Sequence, residues 1–211
     1  MIAGMNGNDR ISADLNEVLM RGLVKSGPAL SHTAADQTFY IFSLSIARLS
    51  GKEDVLNVIA PATALSAFPV ECGAFIELVG SVRSRNMHEN EKYRLILTVY
   101  AQEIRAPEDG AQPHNQVRLE GVICKPPIYR ITPLGREVCD IMLAVRRRYG
   151  RADFLPLIAW GKNAVAAQDY KVGDRLGCEG RFQSREYTKL TDGVETVKTA
   201  YEVSLSALNK L

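Results

Sequence analysis

Apolar and polar side chains alternate with a period of two along most of this chain, the pattern of strands with one buried face. In the second half the alternation predicts strands near 116–125, 137–148, 152–160, 175–187 and 197–208. In the first half it predicts strands near 16–25, 38–49, 53–60, 75–86 and 92–104. It breaks at the Ala-rich stretch GKNAVAAQDY, residues 161–170, which predicts a helix closed by Gly173; residues 62–68 predict its counterpart. TPLG at 132–135 predicts a turn, with Pro133 suited to its second position and Gly135 to its fourth. TDGV at 191–194 predicts a hairpin. The strand at 152–160 stands apart. Phe154, Pro156, Ile158 and Trp160 share one face, Leu155, Leu157 and Ala159 the other, and both faces are apolar. Either it is buried on both sides or one face presents rings to solvent.

The two halves repeat each other. Asn16 opens NEVLMRG and Asn115 opens NQVRLEG. Gly73 and Gly80 recur as Gly173 and Gly180 at the same spacing of seven, and Arg85 and Arg185 each follow the second glycine by five. The order and spacings together indicate a duplicated unit of about 100 residues, a common domain size. Five strands with one helix between the third and fourth are the order of an OB-fold barrel. The fold class expected is therefore all-β with short helices, two tandem five-stranded OB-folds from an internal duplication. The expected division is an irregular or disordered start at 1–14, a degenerate OB-fold at 15–105, a Pro/Gly-rich polar linker at 106–114 and the second OB-fold at 115–211.

Composition narrows the chemistry. Net charge is only +2, but residues 106–211 hold 16 Lys and Arg against 13 Asp and Glu, so an anion-binding surface belongs in the second half. Cys72, Cys124, Cys139 and Cys178 form no CxxC pair and read as small buried side chains in a reducing compartment. His32, His88 and His114 are isolated, so neither a metal nor a cofactor is expected, and no clustered acid, base and nucleophile suggests an enzyme. The longest uncharged run, Val55 to Val70, is too short for a bilayer and is broken by Pro61 and Pro69. With no basic-then-apolar opening, a soluble cytoplasmic, nucleoid-associated protein is expected.

The stretches NQVRLEGVICKPPIYRITPLGREVCDIMLAV, ADFLPLIAWGKNAVAAQDYKVGDRLGCEGRFQSREY and AYEVSLSAL resemble, in order, the bacterial single-stranded DNA-binding protein family. The resemblance covers nearly all of residues 115–208. It implies binding of single-stranded DNA without catalysis, and an assembly of four OB-folds. Two tandem units per chain make that a homodimer, with replication or repair proteins as further partners. The family's first strand pairs between subunits, which makes Glu17–Gly22 and Gln116–Gly121 candidates for pairing across units.

The family stacks bases at four places, which fall here on Tyr149, Phe154, Trp160 and Tyr187. Arg146, Arg147, Arg148 and Arg151 flank Tyr149, and Arg175, Arg181, Arg185 and Tyr187 share one parity in the fourth strand, away from Leu176, Cys178 and Phe182. Rings for bases and guanidinium groups for phosphates on one face are the footprint expected of a single strand. Phosphate contacts are therefore expected at Arg146, Arg147, Arg148, Arg151, Arg181 and Arg185.

In the first unit the four positions hold Leu49 or Ser50, Val55, Ala60 or Pro61, and Met87. It reads as a barrel that has lost stacking, with weak contacts at Arg48, Arg83 and Arg85 and with Phe39, Ile41 and Phe42 in its core. Family members usually finish in a polar tail with an acidic tip that recruits other enzymes. This sequence stops at LSALNKL, so that recruiting role is expected to be absent or carried by a paralogue. Two rival classes are a primosome-type OB protein acting through a helicase-loading partner and a structural OB module with no salt-sensitive affinity for single strands. The four aromatics count against the first.

Overall fold

The computed structural model describes residues 12–89, 92–191 and 194–211. The first unit contains β1 (Asn16–Ala34), β2 (Gln37–Ala47), β3 (Glu53–Pro61), α1 (Ala62–Ala67), β4 (Phe75–Glu89) and β5 (Lys92–Arg105). The second contains β6 (His114–Ile123), β7 (Ile128–Ile131), β8 (Glu137–Arg146), a 3-10 turn (Arg148–Gly150), β9 (Ala152–Trp160), α2 (Lys162–Ala167), β10 (Arg175–Thr191) and β11 (Val194–Lys210). Residues 1–11 of the expected irregular start lie outside the described residues, as do Asp192 and Gly193 at the centre of the TDGV turn. Among the described residues no helix is long and apolar enough to cross a membrane.

Each unit closes a five-stranded OB barrel. In the first, β1 pairs with β2 and β4, β2 with β3, β4 with β5, and β3 with β5 in parallel at Val58↔Val99. In the second, β6, β8, β9, β11 and β10 close in the same way, with the parallel seam at Val203↔Leu157. Closure leaves few open edges, the liability of a small sheet. The fourth strands bend where a Cβ could not fit. One on Gly80 would stand 2.0 Å from the Tyr100 carbonyl oxygen and one on Gly180 2.3 Å from that of Ser204, each beside a bulge in the pairing. The glycines that betray the repeat are thus needed where two backbones approach closely. Their partners Gly73 and Gly173 adopt φ values of +87° and +96°, a conformation that favours glycine.

The barrels join through their first strands. β1 and β6 pair antiparallel from Asn16↔Leu119 to Arg21↔His114, with Val18 opposite Val117. These two valines are equivalent positions of the repeat, so a pseudo-two-fold axis passes between them. The pair expected across units forms within one chain.

Local expectations needed correction in four places. β1 runs on to Ala34 and forms a hairpin with β2 whose two loop residues, Ala35 and Asp36, have positive φ of 47° and 59°. That is the geometry of a tight I′-like turn. Gly27 and Pro28 sit in the irregular register between Ser26 and Ala29, where a missing N–H is tolerated. The second unit carries a sixth strand, β7, on β8. Finally, of Phe39, Ile41 and Phe42 only Phe42 is in the core, at 1% exposure; Phe39 and Ile41 are half-buried. Cys139 and Cys178 are buried as expected, but Cys72 is exposed. Burial pushes the Cys178 thiol up to about 12.

Candidate nucleic-acid interface

β9 supplies the centre of the candidate interface. Leu155, Leu157 and Ala159 are buried at 0–1% exposure, which fixes the strand on the barrel. The opposite parity carries Phe154 at 44% and Trp160 at 39% exposure, with Ile158 nearly covered between them. Two large rings are thus held open to solvent by a strand whose other face is core. Leaving such rings partly wet forgoes a part of the roughly 1.5–3 kcal/mol that full burial of a large apolar side chain supplies. Tyr187 on β10 is 38% exposed, with the Arg185 guanidinium 5.8 Å over its ring. Tyr149 lies in the 3-10 turn before β9, and its side chain is outside the described residues.

Phe154 is positioned from the other unit. Its N–H donates to Ser84 Oγ (2.7 Å), on β4. The neighbouring Asp153 carboxylate is fully buried and accepts from the Ser84 N–H (2.6 Å), from Arg83 Nη1 (3.0 Å) and from Arg147 Nε (2.6 Å) and Nη2. Arg147 also donates to the Ser84 carbonyl (3.1 Å). The same clamp recurs about the pseudo-two-fold axis. Asp54 accepts from Arg48 and the Ser184 N–H, Arg48 donates to the Ser184 carbonyl, and the Val55 N–H donates to Ser184 Oγ. Each unit thus grips the other's fourth strand through a buried Arg–Asp fork, the strong bidentate form of the pair.

The arginines therefore divide. Arg147, Arg48 and Arg83 are occupied by buried carboxylates. Arg146 is occupied by Asp14, which also holds Arg175. Burial raises the Asp14 pKa, but the bonds from Arg146 and Arg175 outweigh it and hold the carboxyl below its ordinary value. Arg181 donates to Gln183 Oε1 (3.3 Å), and Arg185 lies 3.8 Å from Glu202. Arg85, Arg148 and Arg151 are exposed and have no carboxylate partner among the described residues. Anion contact is open to these three without breaking an internal pair, and to Arg181 and Arg185 at small cost.

Sequence reasoning missed a second group of rings. His32, Phe39 and Tyr100 of the first unit line a groove of about 780 Å³ whose other wall carries Arg148 and Arg151 of the second. One signal was available: Tyr100 shares parity with Thr98 and Gln102, against Leu97, Val99 and Ala101 in the core.

The geometry has known relatives. The single-strand binding protein family model matches residues 114–211. The chain is 37% identical over 81 residues to single-stranded DNA-binding protein 1 of Clostridium acetobutylicum, covering 35% of this chain and 74% of that protein. It is 39% identical over 80 residues to the single-stranded DNA-binding protein of Clostridium tetani, covering 35% of this chain and 55% of that one. The chain thus spans little more than half the length of several curated relatives that it matches. The fold of the whole chain matches the crystal structure of the wild-type single-stranded DNA binding protein from Thermus aquaticus, with a TM-score of 0.75 at 23% identity, over 95% of this chain and 94% of that one. With two closed OB barrels in tandem and a relative matched over most of its length, this chain belongs to the single-strand binding protein family.

Proposed function

We propose that the chain binds single-stranded DNA without sequence specificity and protects it in replication, recombination or repair. Bases stack on Phe154, Trp160 and Tyr187, with Tyr149 as a fourth platform, and phosphates are met by Arg148, Arg151, Arg181 and Arg185. The observation that carries this reading is the pair Phe154 and Trp160, exposed at 44% and 39% on a strand whose other face is core. Stacking on such rings is worth roughly 1–3 kcal/mol per base and ignores sequence, since every base has a π-face. The names of the Clostridium relatives support the same ligand. In this reading the chain divides at the linker 106–114, and the second unit supplies the principal strand path.

Trp160 is the only tryptophan, so it reports on the site directly. Saturating oligo-dT is expected to quench its emission strongly, and duplex DNA of equal length is not. Unchanged emission, at a concentration where anisotropy shows binding, removes Trp160 from the site.

Two OB-folds per chain support a homodimer that brings four together. The β1–β6 pair is already used within the chain, so the chains must meet through another surface. The expected mass is twice the 23.3 kDa of one chain, about 47 kDa. Light scattering at micromolar protein and moderate salt checks it, and a mass near one chain at every concentration rejects the dimer.

A further inference from the structure

The face of β10 that carries Arg181, Arg185 and Tyr187 also holds a buried acid. Glu202 on β11 stands directly opposite Gln183 in the register and is only 7% exposed. A carboxylate beside a surface that takes a polyanion costs affinity unless it has a task of its own. The duplication provides an internal comparison. Counted from the bulges at Gly80 and Gly180, Glu202 falls where the first unit has Thr98, and Gln183 where it has Arg83. Thr98 is also 7% exposed. A barrel of this design therefore closes with a neutral side chain at the same depth, and packing does not require the acid.

Its contacts point to the task. Glu202 Oε1 accepts from Gln183 Nε2 at 2.8 Å, and Arg185 Nε stands 3.8 Å from the same oxygen. An ionised carboxylate only accepts, so it fixes the Gln183 amide with its donors toward Glu202. The Gln183 Oε1 is then left to accept from Arg181 Nη2, at 3.3 Å. One buried acid thus holds two guanidinium groups, Arg185 directly and Arg181 through a buried amide. With its Nε turned to Glu202, Arg185 keeps its two Nη groups for another anion, and its guanidinium carbon stands 5.8 Å over the Tyr187 ring. The charge of Glu202 is countered by Arg185 and also by Arg48. Asp54 first, and Glu202 after it, hold the Arg48 guanidinium above its ordinary pKa, against the burial that lowers it. An acid compensated in this way repels a phosphate little.

We infer that Glu202 is a positioning residue for single-strand binding, which holds Arg181 and Arg185 in the orientation in which they meet phosphates, with Arg185 braced against one face of Tyr187. The inference rests on the proposed function and deepens it with a residue that itself touches no nucleic acid. Long cationic side chains lose rotamer freedom when they are immobilised on a ligand, and holding them in place beforehand removes that cost.

The test is Glu202→Gln in the full chain, titrated by anisotropy at one fixed salt concentration and below the melt. The probe is fluorescein-labelled oligo-dT of about 30 nucleotides, longer than the roughly 4–16 that one OB-fold covers. Coulomb's law alone predicts tighter binding, because a negative charge leaves the face. Positioning predicts the opposite sign, a loss of about fivefold or more, since two long side chains must now be ordered by the ligand. Glu202→Thr gives the second unit the side chain that the first unit buries at Thr98, and it should weaken binding likewise. In a chain that also carries Arg181→Ala and Arg185→Ala, Glu202→Gln should cause no further loss, whereas a merely structural role would weaken binding in both backgrounds. Equal or tighter binding by either folded Glu202 variant, or the same loss with the two arginines removed, overturns the inference and leaves the proposed function standing. No binding by the unaltered chain overturns both.

Discussion

Phe154→Ala combined with Trp160→Ala is expected to weaken oligo-dT binding by about 2–6 kcal/mol, at about 1–3 kcal/mol per ring. That is a loss of roughly 30-fold at the least. The two rings are 44% and 39% exposed, so truncation also removes the packing of their covered part, and affinity is compared at a temperature well below the melt of both proteins. Anisotropy titrations at one fixed salt concentration measure the loss, since affinity for a polyanion depends strongly on salt. Val55→Ala with Met87→Ala is the control in the first unit, placed at the positions equivalent to Phe154 and Tyr187. Equal losses from both pairs would mean that the first unit binds DNA as strongly as the second, against the asymmetry argued from the sequence.

Asp153→Ala is expected to be the most damaging single substitution for stability. The carboxylate is fully buried and takes hydrogen bonds from Arg147, Arg83 and the Ser84 N–H. Removing one partner of a buried pair leaves the other charge uncompensated, at about 3–5 kcal/mol. For a chain of this size that lowers the melting temperature by roughly 10 °C. Asp54→Ala should cost less, because Asp54 holds one arginine where Asp153 holds two. Asp153→Ala should also weaken binding below the melt, since the clamp holds Ser84 against the Phe154 backbone. Calorimetry on the three proteins ranks them, and a melting temperature of Asp153→Ala equal to that of the unaltered chain would refute the clamp as a structural device.

Much of the architecture was legible because the repeat was. Gly73, Gly80, Gly173 and Gly180 marked equivalent turns and bends, since only glycine fits where a strand crosses another backbone at close range or the chain takes positive φ. Parity along β9 separated Leu155, Leu157 and Ala159 from Phe154 and Trp160, and the burial follows that division. The outer half of the β1–β2 hairpin was not legible. Its loop is Ala35–Asp36 in place of the Asn-Gly or Asp-Gly pair that signals such a turn, and Pro28 hides in an irregular register. β7 was hidden in the same way, as four residues beside a Pro-rich segment.

The arginines show the division most clearly. Their clustering near Tyr149 was plain in the sequence, but not their tasks. Arg147 reads like Arg148 and Arg151, yet it is folded onto a buried aspartate, and Arg146 is drawn to Asp14, 132 residues away in the chain. Pairing of that kind depends on which carboxylates the fold brings within reach, and a one-dimensional pattern carries no such distances. For the same reason Phe39 read as core: alternation gives the face of a strand, and only the neighbouring strands decide how much of that face is covered. The sequence by itself determined the duplication, the two barrels and the outward placement of Phe154 and Trp160, because these follow from local periodicity and steric need. The tertiary structure decided which arginines remain open, how the two units clamp one another, and that His32, Phe39 and Tyr100 meet in one groove, because those outcomes depend on contacts between strands far apart in the chain.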